Sequence, residues 1–452
     1  MPGARPPFDL LLRHGTLVLP GGAVTADLGI REGRIAALGV DAAAPAAVTI
    51  EAGGLHVLPG IIDTQVHFRE PGLEQKEDLA TGSAAAVLGG VTTVFEMPNT
   101  SPATTTAEAL ADKLSRARGR MWCDHAFFIG ASGENVAQLR ELERLPGCAG
   151  IKVFMGSSTG SLLVEDEATL RGVLLQARRR IAVHAEDEAR LRDRRPIRDA
   201  AAGDVAQHPV WRDETVALNA TTRLLRLARE TGRRVHVLHL TTEEELDLLA
   251  GHRDLATVEV TPQHLTLVAP DCYARLGTHA QMNPPIRGER HRAALWRAVG
   301  NGLADVLGSD HAPHTAAEKA QPYPLSPSGM PGVQTLLPVM LDHVAAGRLS
   351  LLRLVDLASA GPARVFGIAG KGRIALGYDA DLVLVDLEAR RRVAADWLRS
   401  RCGWSPFEGE ELRGWPVATV VRGALAMREG ELAPTPAGRP ARFLEAWTED
   451  IG

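Results

Sequence analysis

The chain has 452 residues, 45% of them hydrophobic, and its formal net charge at pH 7 is -5. That is enough apolar material for one large domain and a smaller one. The charges form no long block of one sign, and no run approaches the roughly 18 apolar residues of a membrane span. We therefore expect a small-molecule substrate, and neither a nucleic acid nor a membrane as partner.

The four cysteines are scattered and show no C-x-x-C spacing; they are Cys123, Cys148, Cys272 and Cys402. Unpaired thiols are typical of a reducing compartment. The first residues, "MPGARPPFDLLLRHG", lack the long apolar segment of a signal peptide. These features predict a cytoplasmic protein.

Both ends of the chain consist of short β-like runs broken by glycines. "FDLLLRHGTLVLPGGAVTADLGIREGRIAALG" lies near the beginning, and "GRIALGYDADLVLVDL" and "WPVATVVRGALAMREGEL" repeat its style near the end. Neither end is long enough to make a robust sheet alone. We therefore predict one small β domain, built from residues 1–56 and 370–452, that flanks the rest of the chain.

Between these ends, eight short apolar runs finish in polar residues: "LHVLPGIIDTQVH", "VTTVFEMPN", "HAFFIGAS", "GIKVFMGSS", "IAVHAED", "VHVLHLTT", "TVEVTPQH" and "DVLGSDHAPH". Most are separated by stretches with helical spacing, such as "ENVAQLRELERL" and "ETVALNATTRLLRLARE". Eight alternating β/α units predict a closed (β/α)8 TIM barrel of the α/β class over residues 57–369. An open doubly wound sheet would also alternate, but the chain has no G-x-G-x-x-G after a first strand and no P-loop. The Pro- and Gly-rich stretch 321–332 is typical of a loop over the barrel mouth.

The polar residues at the strand ends are the candidate functional groups, because barrel enzymes place their chemistry there. The titratable ones are His67, Lys152, His184, His239 and Asp310. Imidazoles with a carboxylate suit zinc or a related divalent ion. His236 precedes His239 by three residues on one strand, so only one of the two should point into the mouth. His264 is a weaker candidate.

Lys152 lies inside the apolar run "GIKVFMG" and is one of only five lysines. A buried lysine is costly unless it is neutralised, paired or modified. Its side chain could instead extend out of the strand end into solvent. The segment alone leaves both interpretations open.

With these residues in view, the chain resembles the cyclic-amidase branch of the amidohydrolase superfamily, and most of all the class I dihydroorotases. The similarity covers nearly the whole chain, in seven segments that follow the family's order: "PGIIDTQVHFREPG", "FEMPNTSP", "IKVFMGSSTG", "VHAED", "VLHLTT", "MNPPIR" and "GSDHAPH". Among them, "REPG", "MPNT" and "DHAPH" favour dihydroorotase over hydantoinase and allantoinase.

The resemblance implies a hydrolase that interconverts dihydroorotate and N-carbamoyl-L-aspartate in pyrimidine synthesis. In the family, a lysine carboxylated by carbon dioxide bridges two metal ions, and Lys152 matches that position. The implied metal ligands are His67, Lys152, His184, His239 and Asp310. A metal-bound hydroxide would attack the ring amide carbonyl, and Asp310, the implied catalytic residue, would shuttle the proton. The implied substrate-binding residues are Arg69, Asn99, Asn283, His314, Ser328 and Gly329.

The sequence departs from the family signature at Gln65, where this chain has Q-x-H in place of H-x-H. An amide oxygen does not replace imidazole for zinc at equal affinity. We therefore expect one tightly held zinc and a weak or partial second site. Two other hypotheses stay open: a looser site that still holds two metals, and an inactive dihydroorotase-like subunit that partners aspartate transcarbamoylase. We also expect a homo-oligomer.

The alternative activity is that of a hydantoinase or allantoinase, whose substrates lack a ring carboxylate. Arg69 discriminates between the two, because the guanidinium fork pairs with both oxygens of a carboxylate. A structural salt bridge from Arg69 to Glu70 or Asp63 is the competing explanation for this residue.

Overall fold

The computed structural model describes residues 7–41, 43–158 and 162–444. The N-terminal strands are β1 Phe8–Arg13, β2 Thr16–Leu19, β3 Gly22–Thr25, β4 Leu28–Arg31, β5 Arg34–Leu38, β6 Ala46–Glu51 and β7 His56–Pro59. The central strands are β8 Ile61–Val66, β9 Val91–Glu96, β10 Asp124–Gly130, β11 Cys148–Phe154, β12 Ile181–His184, β13 Val235–Val237, β14 Ala256–Val260 and β15 Val306–Leu307. The C-terminal strands are β16 Leu382–Arg392, β17 Glu411–Val421, β18 Ala424–Arg428 and β19 Glu431–Leu432.

The α-helices alternate with the central strands. They are α1 Leu79–Leu88, α2 Ala107–Ala117, α3 Leu139–Leu142, α4 Glu167–Gln176, α5 Glu188–Asp193, α6 Arg195–Asp199, α7 His208–Trp211, α8 Glu214–Thr231, α9 Glu243–Ala250, α10 Pro262–Thr266, α11 Asp271–Leu276, α12 Glu289–Asn301, α13 Ala316–Lys319, α14 Leu336–Ala345, α15 Leu351–Val355 and α16 Gly361–Phe366. Within the described residues, no helix combines the length and apolar character needed to cross a membrane.

The eight central strands form one parallel sheet in sequence order, from β8 to β15. The ring closes where Val66 bridges His311 and the His67 amide donates to the His311 carbonyl at 2.7 Å. The predicted barrel is therefore confirmed. The first apolar run divides at Gly60, because its beginning, β7, pairs in a flanking sheet and its end, β8, enters the barrel.

The long barrel helices begin and end where the sequence supplies caps. Asp213 accepts a hydrogen bond from the Val216 amide at the start of α8, and Gly232 ends that helix with φ 66°. Asp78 and Thr81 form a reciprocal capping box at the start of α1. Such caps fix the helix boundaries and thereby the lengths of the loops that carry the strand-end residues to the barrel mouth.

An apolar plug fills the N-terminal half of the barrel interior. Phe95, Phe128 and Phe366 pack edge to face, with ring centroids 5.5–6.0 Å apart. Because this half is filled by side chains, the cavity of the barrel lies at the carboxyl ends of its strands.

Two further sheets flank the barrel. β5, β4, β1 and β6 form a four-stranded sheet, and β19, β18, β17, β16, β7, β2 and β3 form a seven-stranded one. The seven-stranded sheet joins both ends of the chain, as expected. The N-terminal end alone supplies the strands of the four-stranded sheet. The buried side chains of that sheet share one apolar cluster with C-terminal residues such as Leu382 and Val417, so the packing of the sheet requires both ends of the chain. The domain limits 1–56 plus 370–452 and 57–369 stay a prediction.

A buried ion-pair cluster joins the seven-stranded sheet to the barrel floor. Lys371 Nζ lies 2.6 Å from Asp124 Oδ2 at the start of β10 and also binds Asp381 beside β16. Arg422 Nε lies 2.7 Å from the same Asp124 oxygen. Each buried carboxylate of the cluster lies beside a cation, so no charge among the described residues of this junction is buried without a partner of opposite sign.

Candidate active site

A small cavity opens at the carboxyl ends of the barrel strands. Its wall consists of Gln65, His67, Arg69, Asn99, Lys152, Phe154, Ser158, His184, His239, Asn283, Asp310, Ala312, Ser328 and Gly329. The structure thus brings together every metal-ligand and substrate-binding residue expected from the sequence except His314, which lies behind the wall.

Lys152, on β11, points into the cavity and is 1% exposed. Its ammonium nitrogen has no hydrogen-bond partner among the described residues and lies 4.5 Å from the centre of the Phe154 ring. Burial lowers the pKa of this amine to about 7. The alternative in which the side chain reaches out into solvent is wrong. The burial gives the lysine a large neutral fraction at physiological pH, and the neutral amine is the form that reacts with carbon dioxide.

His184 and His239 face each other beside Lys152, with His184 Nδ1 3.0 Å from His239 Nε2. The Glu186 carboxylate accepts from His184 Nε2 at 2.9 Å, so the lone pair of His184 lies on Nδ1, toward the cavity. Glu186 is itself paired with Arg212. Burial lowers the pKa of both imidazoles, which keeps them neutral, as metal ligands must be.

His67, Gln65 and Asp310 form the opposite side of the cavity. His67 Nδ1 donates to Asn99 Oδ1 at 2.7 Å, and His67 Nε2 lies 3.3 Å from Asp310 Oδ1. Gln65 Nε2 donates to the same Asp310 oxygen at 3.0 Å. The amide thus supports Asp310, while its own buried Oε1 has no partner within the described part of the chain.

Three non-glycine residues of the site adopt left-handed backbone conformations. The φ angles are 64° at Arg69, 38° at His239 and 44° at Asp310. Such conformations cost of order 1–3 kcal/mol each and persist where packing over-determines them. They turn the three side chains toward the cavity directly after their strands end.

Arg69 is 1% exposed and has no carboxylate within ion-pair distance in the described ranges. Its Nε donates to the Pro313 carbonyl at 3.2 Å, and its Nη1 is buried without a partner. Glu70 instead pairs with Arg120, and Asp63 Oδ1 accepts from the Ser309 amide. The salt-bridge explanation for Arg69 is therefore wrong. Burial lowers the pKa of the guanidinium only to about 10, so it stays charged.

His314 contacts the site through its neighbours. Its Nδ1 lies 3.1 Å from Lys76 Nζ, and its Nε2 lies 3.0 Å from the Ser328 carbonyl and 3.4 Å from Arg69 Nη2. It therefore braces two residues of the cavity wall and does not form the wall itself.

The loop that contains residues 321–332 borders the cavity through Ser328 and Gly329. Lys319, which is fully buried, donates to the carbonyls of Gln281, Pro327 and Gly329 at 2.9–3.2 Å. Gly329 has φ 138°, and a Cβ there would lie 2.5 Å from the Ala312 carbonyl oxygen, so the close approach requires glycine. The loop is held in a fixed position over the mouth.

The two other candidate histidines do not reach the cavity. His264 is satisfied by Thr261 Oγ1 at 2.8 Å and the Pro284 carbonyl at 3.1 Å. His236 packs against Phe366 in the barrel interior and bonds Thr257. As the spacing predicted, only His239 of its strand pair points into the mouth.

Sequence reasoning missed several groups around the site. Phe154 and Ser158 on the wall follow Lys152 by two and six residues, so strand alternation offered a signal for Phe154. Glu186, two residues after His184 in "VHAED", had the same signal. Glu259 had no such signal; it lies beneath the site, accepts from the His239 amide at 3.3 Å, and has a pKa raised by burial to about 8.

The donor set fits a divalent metal ion. The cavity gathers Lys152 Nζ and Gln65 Oε1, which have no partner among the described residues, with the Asp310 carboxylate and the converging imidazoles of His184 and His239. In contrast, the carboxylates of Asp124, Asp379 and Asp381 also converge, but Lys371 lies within 4 Å of all three. That cluster, at the barrel floor, has its own cation.

Comparisons with known proteins agree with this geometry. The amidohydrolase family model matches residues 56–426. The chain is 37% identical to a dihydroorotase of Methanosarcina mazei, over 97% of this chain and 98% of that one. It is 40% identical to a dihydroorotase of Halobacterium salinarum, over 89% and 94% of the two chains.

Other cyclic amidases are also similar. An allantoinase of Rubrobacter xylanophilus is 37% identical, over 96% of this chain and 98% of that one. The solved structure of an L-hydantoinase (dihydropyrimidinase) from Arthrobacter aurescens superposes with a TM-score of 0.91 at 32% identity, covering 96% and 100% of the two chains.

Proposed function

The chain belongs to the amidohydrolase family, and from that premise we propose that it is a metal-dependent hydrolase of cyclic amides whose substrate is dihydroorotate. The reaction is the reversible hydrolysis of dihydroorotate to N-carbamoyl-L-aspartate, a step of pyrimidine synthesis.

The observation that carries the choice of substrate is the buried guanidinium of Arg69 at the cavity wall, which has no carboxylate partner among the described residues. A buried charge without a counter-ion is costly, and a substrate carboxylate would supply the missing partner. Dihydroorotate has such a carboxylate on its ring, whereas hydantoin and allantoin do not. The Asn99 side chain, on the same wall, offers a further polar contact.

The proposed metal ligands are the carboxylated Lys152 with His184 and His239, and His67 with Asp310. Carboxylation joins the neutral Lys152 amine to carbon dioxide with loss of one proton, and the product is a carbamate anion with two oxygens that can bind metal. With Gln65 beside His67, we propose one tightly held zinc and a weaker second position. A bound divalent ion would supply Lewis acidity, which lowers the pKa of water and polarises the ring carbonyl.

The protein's own groups carry the proton. Asp310 takes up the proton that the attacking water loses and returns it to the leaving ring nitrogen. Gln65 Nε2 holds the Asp310 carboxylate, and Asn283 and the backbone of Ser328 and Gly329 hold the ring amides. Lys319 keeps that backbone in place, so that these donors and acceptors are preorganised.

Two other functions have specific support. The L-hydantoinase structure and the allantoinase similarity favour a cyclic amide without a carboxylate. Gln65 favours a non-catalytic subunit that partners aspartate transcarbamoylase. A homo-oligomer and a cytoplasmic location complete the proposal; the four cysteines, all buried and free, suit a reducing compartment.

The test is turnover by the purified protein of L-dihydroorotate, allantoin and hydantoin, with metal content measured on the same sample. We expect dihydroorotate to be hydrolysed far better than the other two, by a protein that retains zinc. Equal turnover of the three compounds would refute the choice of substrate. A metal-free protein that turns over none of them, with or without added zinc, would favour the subunit role.

A further inference from the structure

Three cations surround the buried imidazole of His314. Arg69, Lys76 and Lys319 lie near enough to lower its pKa, in addition to the larger effect of burial. The Glu318 carboxylate pairs with one of these cations, since its Oε1 lies 2.8 Å from Lys76 Nζ. Lys76 is 9% exposed, so its ammonium group is largely withdrawn from solvent. None of the functional roles described so far uses Lys76.

The two nitrogens of His314 face partners of opposite kind. Nδ1 lies 3.1 Å from the Lys76 ammonium, which can only donate, and Nε2 lies 3.0 Å from the Ser328 carbonyl, which can only accept. The arrangement is satisfied by one state of the ring, a neutral imidazole with its proton on Nε2. Lys76 thus selects the tautomer of His314.

The tautomer decides what Arg69 can do. Arg69 Nη2 lies 3.4 Å from the same Nε2. Because Nε2 carries a proton, it has no lone pair to accept a hydrogen bond from the guanidinium. Nη1 is also without a partner among the described residues. Both terminal nitrogens of the fork are therefore left for a ligand.

We propose that Lys76 is a positioning residue for substrate binding: by holding the proton of His314 on Nε2, it keeps the Arg69 fork open for the substrate carboxylate. The inference rests on the proposed function. Without Lys76, the proton of His314 can move to Nδ1, and Nε2 would then accept from Arg69 Nη2. Arg69 would be partly satisfied within the protein and would bind a carboxylate less well.

The direct test is the tautomer of His314, read by 15N NMR of the full-length protein labelled on histidine, with a His314→Gln variant to assign the signal. We expect the proton on Nε2 in the wild type. In Lys76→Met the population should shift toward Nδ1–H, and in Lys76→Arg, which keeps a donor, it should not. Glu318→Gln is the matched control, because it removes the ion pair but leaves the Lys76 donor and a side chain that still caps α13.

The second readout is kinetic. In Lys76→Met, we expect KM for dihydroorotate to rise about tenfold with kcat within about twofold, since ground-state and transition-state binding of the carboxylate weaken together. Lys76→Arg and Glu318→Gln should stay within about twofold of the wild type. Turnover of dihydrouracil, which lacks the carboxylate, should be the same in all four proteins.

Either readout can overturn the proposal. A wild-type His314 with its proton on Nδ1, or on both nitrogens, contradicts it even if Lys76→Met does not fold. A loss of kcat at constant KM would assign Lys76 to another role. Failure of this proposal and failure of the proposed function can be distinguished. The His314 tautomer can be measured by NMR even in a wild-type protein that does not hydrolyse dihydroorotate.

Discussion

Replacing Arg69 by methionine removes the guanidinium and keeps a long apolar side chain in nearly the same volume. Within the protein, the guanidinium's direct donation is the 3.2 Å hydrogen bond from Nε to the Pro313 carbonyl. Its loss costs about 1 kcal/mol of folding stability, partly offset because a buried charge is removed. The variant should therefore fold, and its defect should lie in substrate binding.

The size of that defect follows from the site. A desolvated fork and carboxylate pair that loses one partner costs about 2–4 kcal/mol. At about 1.36 kcal/mol for each factor of ten, kcat/KM for dihydroorotate should fall about 30- to 900-fold. Arg69→Lys, which keeps the charge but not the fork, should lie between the variant and the wild type.

The assay compares kcat/KM for dihydroorotate and for dihydrouracil in the same protein preparations. Arg120→Met is a suitable control, because it removes a neighbouring arginine that pairs with Glu70 outside the cavity. We expect Arg69→Met to lose activity on dihydroorotate alone. Equal losses on both compounds, or an equal loss in Arg120→Met, would refute the reasoning that Arg69 binds the substrate carboxylate.

Three other predictions concern the metal ligands and the buried histidines. Lys152→Ala should lose bound zinc and activity together, and a short carboxylic acid in solution should restore part of both; metal analysis and turnover measure this, and a fully active Lys152→Ala enzyme would exclude the bridging role. Gln65→His should raise the occupancy of the weaker metal position without being needed for turnover, as measured by metal content at matched zinc concentrations; two equally tight ions in the wild type would contradict it. Burial lowers to about 3 or about 4 the pKa values of His125, His208, His236, His264 and His343. Because the unfolded chain binds these protons first, stability is full above pH of about 6.5 and falls as the pH drops toward 4, by about 2 kcal/mol for each histidine at pH 5. His343→Gln, far from the cavity, should flatten the fall in the free energy of unfolding between pH 7 and pH 5, and an unchanged slope in chemical denaturation would contradict it.

Much of the barrel was predictable because its strands carry continuous apolar runs that end in polar residues. The convergence of His67, Lys152, His184, His239 and Asp310 then follows from ring closure, since the carboxyl ends of parallel strands meet at one mouth. The rule works even for β13 and β15, which are only three and two residues long.

The contacts that refine the site were not predictable in the same way. Lys76 and His314 are 238 residues apart, and a lysine in "EQKED" has the local pattern of a solvated loop. Among the described residues, Arg69 has no carboxylate partner and Glu70 pairs with Arg120, and no sequence periodicity indicates either fact. These contacts depend on tertiary packing, which cannot be read from the local pattern of a single sequence.

Helical spacing in the sequence also overestimated the length of one helix, because a side-chain hydrogen bond fixes the segment in another conformation. The stretch "ENVAQLRELERL" has helical spacing, but its regular helix is confined to Leu139–Leu142. Asn135 uses its amide to donate to the Thr105 and Gly130 carbonyls, which ties the segment to the adjacent strand. Pro146 then limits extension of the helix beyond Leu145. The short helix is thus the result of competition between propensity and anchoring.

The left-handed backbone of Arg69 has a consequence for the history of such sites. At φ 64° the backbone favours glycine or asparagine over arginine, so a change to either residue would relieve backbone strain of order 1–3 kcal/mol. An arginine at this position therefore carries a backbone cost that its proposed role in substrate binding would offset. Arg69 is not one of the proposed metal ligands, so a substitution there leaves the proposed hydrolytic groups intact. A single substitution at Arg69 could therefore change the preferred substrate from an acidic to an uncharged cyclic amide and relieve backbone strain at the same time. The change toward an uncharged substrate would then relieve strain in the folded protein, and the change back to an acidic substrate would restore that strain.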